Sequence, residues 1–62
     1  MKLIDLLEVV SENQMVVVWN EDSVLLDRYD GRDSIDEKYN ECPVTWVACG
    51  PKKWLHVCIK EG

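Results

Sequence analysis

The sequence has few basic residues and only short hydrophobic runs, and both scarcities exclude classes of protein. Its 7 lysines and arginines stand against 12 aspartates and glutamates, which gives a net charge of -5. A protein that binds a nucleic-acid backbone needs clustered cationic side chains, so we expect no direct binding of nucleic acid. The longest unbroken apolar run, Met15 to Trp19, is far shorter than the roughly 20 residues of a membrane span. Asp5 and Glu8 interrupt the N-terminal apolar segment before the core of a signal peptide could form, so we expect a soluble intracellular protein.

Cysteine is also scarce, and its number is odd. Three cysteines cannot complete a set of intramolecular disulfides, and this favours a reducing compartment. One spacing, C-x6-C-x6-H-x-C, could supply a zinc site, but structural zinc ligands usually come in closely spaced pairs. Its residues are Cys42, Cys49, His56 and Cys58. Half-buried cysteines that act as small hydrophobes are the simpler interpretation, so we predict no metal and no cofactor.

Catalytic motifs are missing as well. A chain of 62 residues buries a single small core and leaves little volume for a shielded active site. His56 and Cys58 lie two apart on a predicted strand, which separates their side chains by about 7 Å, beyond hydrogen-bond reach. Glu37 would fit the end of a calcium-binding EF-hand loop, but Leu26 and Arg28 then fall where oxygen ligands are required. We predict that the protein is not an enzyme and has no catalytic residues.

Hydrophobic periodicity predicts one domain over residues 1–62. Residues 2–12 are predicted to form a helix whose inner face carries Leu3, Leu6, Leu7 and Val10. Residues 15–19 and 24–29 form a first hairpin, and residues 44–49 and 54–59 form a second. Between them, Ser34 and Glu37 have the spacing of a capping box, which predicts a second helix that ends before Pro43. The predicted fold is α+β, in the order α-β-β-α-β-β, with about four antiparallel strands and two helices on one face.

The expected strand registers divide the hairpins into an inner and an outer face. Pairing Trp19 with Val24 makes one set of alternate residues in the first hairpin the better core candidate: Met15, Val17, Trp19, Val24 and Leu26. Pairing Cys49 with Trp54 buries a second set: Val44, Trp46, Ala48, Leu55, Val57 and Ile59. The outer face of the second hairpin is then unusually apolar, which suggests an interface. Its predicted partner-binding residues are Val47, Cys49, Trp54, His56 and Cys58. The alternatives are a slipped register or coverage of this face by loops and termini.

A second candidate surface is acidic. Residues 20–41 carry eight carboxylates against three basic side chains, and such a segment can steer a basic partner. The residues assigned to it are Asp27, Asp30, Asp33, Asp36 and Glu37. A solvated, solubilising surface is the simpler interpretation.

Two segments resemble short uncharacterised proteins of phages, prophages and mobile elements of Gram-positive bacteria. They are Met1-Lys2-Leu3-Ile4-Asp5-Leu6-Leu7 and Leu26-Asp27-Arg28-Tyr29-Asp30-Gly31-Arg32-Asp33-Ser34-Ile35. The resemblance covers about the first two thirds of the chain. It implies an accessory protein of the bacterial host cytoplasm that binds or inhibits a host protein, as anti-CRISPR proteins do, some of them through acidic surfaces that imitate nucleic acid. We therefore predict a non-enzymatic protein-binding module. The alternative is a self-associating structural domain, such as a homodimer, with or without stabilisation by metal at Cys and His.

Overall fold

The structure, a computed structural model, describes residues 1–11, 13–29, 35–50 and 53–61. It contains helix α1 (Leu3–Val9) and four strands, β1 (Met15–Trp19), β2 (Leu25–Tyr29), β3 (Val44–Cys49) and β4 (Trp54–Ile59). A 3-10 turn, Glu37–Tyr39, lies between β2 and β3. The strands form one sheet in the order β2-β1-β4-β3. The central pair, β1 and β4, is parallel, and the two outer pairs are antiparallel.

The predicted fold class is wrong in two respects: the sheet is mixed, and one α-helix rather than two covers its face in the described part of the chain. The order of strands has a physical reason. β1 has no polar residue, so it gains most from a central position, where both edges are hydrogen-bonded. β2, which contains Asp27 and Arg28, lies at an edge.

The second predicted helix is replaced by the 3-10 turn. Its predicted cap, Ser34, lies outside the described residues. Asp36 caps the turn instead, since its carboxylate accepts a hydrogen bond from the backbone N–H of Lys38 at 3.0 Å. Pro43 ends the segment a few residues after Tyr39, and so short a segment does not offset the unfavourable nucleation of an α-helix. Ile35 and Tyr39, which flank the start and end of this segment, both pack against the core.

Helix α1 has the predicted inner face. Leu3 is fully buried, and Leu6, Leu7 and Val10 pack against the core. The helix ends at Val9, earlier than expected. Its first turn is held from outside, since the carbonyls of Cys42 and Asn40 accept hydrogen bonds from the N–H groups of Leu3 and Ile4 at 2.9 and 3.0 Å.

An exposed ion pair adds to this attachment. The Lys2 ammonium donates a hydrogen bond to the Glu41 carboxylate at 2.6 Å, and this contact raises the pKa of Lys2. The helix is thereby tied to the segment that precedes β3.

Across the described ranges, no helix is long and apolar enough to cross a lipid bilayer.

The core lies between α1 and the sheet. It consists of Leu3, Val16, Val18, Ile35, Val57 and Ile59. In the first hairpin, the predicted inner set is wrong for every member except Leu26, which packs against the core as expected. Val16 and Val18 face the helix instead, and Val24 is exposed. Trp19 pairs with Leu25 instead of Val24, and a bulge then shifts the register between Val18 and Trp19. Met15, Val17 and Trp19 therefore lie on the opposite side of the sheet.

Candidate interaction face of the sheet

The side of the sheet that faces away from α1 carries all three tryptophans of the chain. We call it the tryptophan face. Partners in adjacent strands share a face, so the registers define its rows. One row contains Leu25, Trp19, Cys58 and Trp46; the next contains Arg28, Val17, His56 and Ala48; the third contains Met15 and Trp54. The first two rows run across all four strands, and Arg28 is the one charged residue in the three rows.

Trp46 belongs to this face because the register of the second hairpin differs by one residue from the expected one. Cys49 pairs with Leu55 rather than Trp54, and a one-residue slip exchanges the faces of a strand. A bulge at Thr45 restores the expected pairing of Val44 with Ile59. The predicted burial of Trp46 is therefore wrong: the indole is 53% exposed. Ala48 changes face with it.

The same slip divides the predicted partner-binding residues. Trp54, His56 and Cys58 lie on the tryptophan face, as expected from alternation along β4. Val47 and Cys49 lie on the helix side of the sheet, opposite Val57 and Leu55, although both are exposed there. The structure therefore brings together three of the five predicted residues.

Trp19 and Trp46 were missed by sequence reasoning as members of this face. Both alternating sets of β1 are apolar, so alternation alone gives no signal for which set the helix covers. For Trp46, the deciding feature is the length of the turn that follows β3, which sets the register.

His56 is held in the centre of the face. The indole Nε1–H of Trp19 donates a hydrogen bond to Nδ1 of His56 at 3.1 Å, and the two rings stack with centroids 6.1 Å apart and planes 24° apart. Because Nδ1 accepts, the neutral ring carries its proton on Nε2 in this arrangement. A Cβ atom at Gly50 would lie 2.2 Å from Nε2. The imidazole thus occupies the space that the missing side chain of Gly50 leaves.

Cys58 is also part of the scaffold of this face. Its side chain is 4% exposed, and its thiol donates to the carbonyl of Asn20 at 3.4 Å. The side chain of Asn20 in turn organises the turn after β1, since its Oδ1 accepts from the N–H groups of Asp22 and Val24 at 2.9 and 3.0 Å. Asn20 also donates from Nδ2 to Glu61 at 2.9 Å. The burial of Cys58 and its hydrogen bond to Asn20 indicate a structural role for this residue.

The four residues with a zinc-like spacing do not converge. Cys49 lies on the opposite side of the sheet from His56 and Cys58. Among the residues that the structure describes, no group of three or more His, Cys, Asp or Glu side chains could hold a metal ion. The cysteines there are free thiols.

A cleft of about 250 Å³ opens in the first row of the tryptophan face. Two indoles, His56 and Cys58 form its apolar part, and Asn20, Glu21 and Ser23 line the remainder. Trp19 stacks on His56 within this cleft, whereas Trp46 extends into solvent. Indole rings beside a carboxylate form an environment that favours a cationic side chain with an apolar stem.

Two carboxylates of the predicted acidic surface make hydrogen bonds that hold the local structure together. One carboxylate oxygen of Asp27 accepts a hydrogen bond from the backbone N–H of Arg28 at 2.8 Å, and the other accepts from the backbone N–H of Asp36 at 2.8 Å. Asp36 caps the 3-10 turn, and Glu37 is exposed in it. Asp30 and Asp33 lie outside the described residues. Asp27 and Asp36 thus join β2 to the following segment.

Comparisons with protein-family models, with curated proteins and with solved structures found no match to this chain.

Proposed function

We propose that this protein is a non-enzymatic binding module whose tryptophan face contacts a partner protein. The observation that carries the proposal is the placement of three tryptophans on the side of the sheet that the helix leaves open. Tryptophan is enriched among the residues that dominate binding energies, because it buries a large rigid surface and keeps a polar N–H. Trp46 is more than half exposed, and this supports a role as the leading anchor.

The chemistry of the cleft supports a partner that presents a lysine or arginine side chain among apolar residues. The methylene stem would lie between Trp19 and Trp46, and the charge would meet the carboxylate of Glu21. Cation–π attraction strengthens such a contact when water is displaced. The net charge of -5 favours the approach of a basic partner and disfavours nucleic acid.

The wider setting stays a proposal of the same kind. The resemblance to phage and mobile-element proteins supports an accessory protein of the bacterial cytoplasm that binds or inhibits a host protein. The acidic segment from Asp27 to Glu37 would serve as a secondary contact. Salt separates the two surfaces: a complex held by several exposed carboxylates weakens steeply as ionic strength rises, whereas burial of indoles with one ion pair weakens little.

The test is a selection of short random peptides on the immobilised protein. We expect the enriched sequences to carry a lysine or arginine flanked by apolar residues, and to lose at least tenfold in affinity for Trp46→Ala and for Glu21→Gln. Val9→Ala is the matched control, because Val9 is an exposed apolar residue on α1, away from the face. Enriched peptides that bind Trp46→Ala and the parent equally would overturn the proposal.

A further inference from the structure

In the part of the chain that the structure describes, no strand pairs with the outer edge of β3. Natural sheets guard their edge strands with charges, prolines, bulges or short length. The other edge strand, β2, contains Asp27 and Arg28, whereas β3 contains no charged residue and no proline over its six positions. Its bulge lies at Thr45, near one end. Five of the six β3 residues are exposed, so no segment within the described ranges covers the faces of this strand.

The hydrogen-bond pattern shows which backbone groups this edge presents. Gly50 donates its N–H to the carbonyl of Trp54 at 2.8 Å. Because bonded and non-bonded pairs alternate in an antiparallel ladder, Ala48 and Trp46 direct their backbone groups toward β4. Val47 and Cys49 therefore direct theirs outward. The N-terminal residues contact this edge at the start of the strand, where Val44 donates its N–H to the carbonyl of Met1 at 2.8 Å.

We infer that β3 pairs with β3 of a second copy of this chain, antiparallel and about a two-fold axis at Val47. In this arrangement, Val47 exchanges two backbone hydrogen bonds with its own counterpart, and Thr45 lies opposite Cys49. Trp46 of each copy lies opposite Ala48 of the other, so a large side chain meets a small one on the tryptophan face. The two four-stranded sheets become one continuous sheet.

The side chains of β3 support a second copy as the occupant. A net charge of -5 on each chain opposes close approach of two copies, but β3 contributes none of that charge. Antiparallel pairing about Val47 sets exposed Trp46 of each copy against exposed Ala48 of the other, so the same strand supplies both complementary halves of the contact.

The contact involves one strand from each copy, which places it among small and weak interfaces. Sedimentation equilibrium under reducing conditions, from about 10 μM to about 1 mM, is therefore the appropriate measurement. Reduction prevents a disulfide between exposed Cys49 thiols from imitating the dimer. We expect the mass to rise with concentration toward twice the 7.2 kDa of the chain.

Two variants test the edge itself. Val47→Lys places a charge at the two-fold axis, and N-methylation of Val47 in synthetic protein removes one outward N–H; each should weaken the dimer at least tenfold. Leu25→Lys is the matched control, since Leu25 is similarly exposed, at 49% against 43%, on the opposite edge strand; it should leave the dimer intact. Circular dichroism with a cooperative melt verifies that each variant is folded.

A monomeric mass up to about 1 mM, or a dimer that survives both changes at Val47, would overturn the inference. The inference does not rest on the proposed function. Val47→Lys should still bind the selected peptides, because Val47 lies on the other side of the sheet. Loss of the dimer and loss of peptide binding are therefore separate results.

Discussion

Gly50→Ala should destabilise the protein through His56. The added Cβ would lie 2.2 Å from Nε2 and 2.4 Å from Cδ2 of the imidazole, far inside van der Waals contact. The backbone of Gly50 is outside the left-handed region, so alanine itself is conformationally permitted. The ring cannot move freely, because Trp19 holds it by a hydrogen bond and a stack.

The expected cost follows from these contacts. Overpacking costs about 1–3 kcal/mol, and loss of the hydrogen bond from Trp19 adds about 1 kcal/mol. The sum, about 2–4 kcal/mol, is a large part of the roughly 3–9 kcal/mol that a domain of this size has in total. Urea unfolding, followed by tryptophan fluorescence, measures the change in the free energy of unfolding.

The same substitution in a His56→Ala protein tests whether the clash with the imidazole causes the loss of stability. In His56→Ala, the imidazole is gone, so Gly50→Ala should cost little there, or stabilise the protein by about 0.4–1 kcal/mol through a less flexible unfolded chain. The double-mutant cycle then gives a coupling energy close to the whole cost of the single substitution. An equal penalty in both backgrounds, or no penalty in the parent, would show that Gly50 and His56 do not share this space.

Three further outcomes follow from burial and hydrogen bonding. Trp46→Ala should retain a cooperative thermal transition, whereas Leu3→Ala, fully buried, should lose about 2–5 kcal/mol of stability; the reverse order would restore the core expected from the sequence. Cys49 is exposed and Cys58 buried, so iodoacetamide should alkylate Cys49 first in native protein, as peptide mass spectrometry can determine, and preferential labelling of Cys58 would contradict its placement. Asp27→Ala removes an acceptor at 2.8 Å from the N–H that begins the 3-10 turn; that amide should exchange with solvent faster by NMR, and unchanged exchange would rule out the bond.

The sequence predicted well those features that depend on local pattern. The inner face of α1, formed by Leu3, Leu6 and Leu7, follows from helical periodicity, and the four strand segments follow from β-branched and aromatic runs. Alternation along β4 also placed Trp54 and His56 on one face. These features need only neighbours within one element.

Features that depend on pairing between elements were not predictable in this way. The parallel contact of β1 with β4 depends on which strand competes best for the centre of the sheet. The position of Trp46 depends on one residue of register and a compensating bulge at Thr45, neither of which leaves a pattern in the composition of β3. The membership of the candidate face changed for the same reason, since Val47 and Cys49 left it as Trp46 entered.

The central claim, that the tryptophan face is the binding surface, is tested most directly by the NMR signals of the three indole N–H groups. The measurement titrates a selected basic peptide into ¹⁵N-labelled protein and follows these signals together with the backbone amides. If the tryptophan face binds the peptide, the Trp46 and Trp19 indole signals shift in a saturable manner while the amides of α1 stay in place. Shifts confined to α1 or to the segment from Asp27 to Glu37, with the indole signals unmoved, would contradict it.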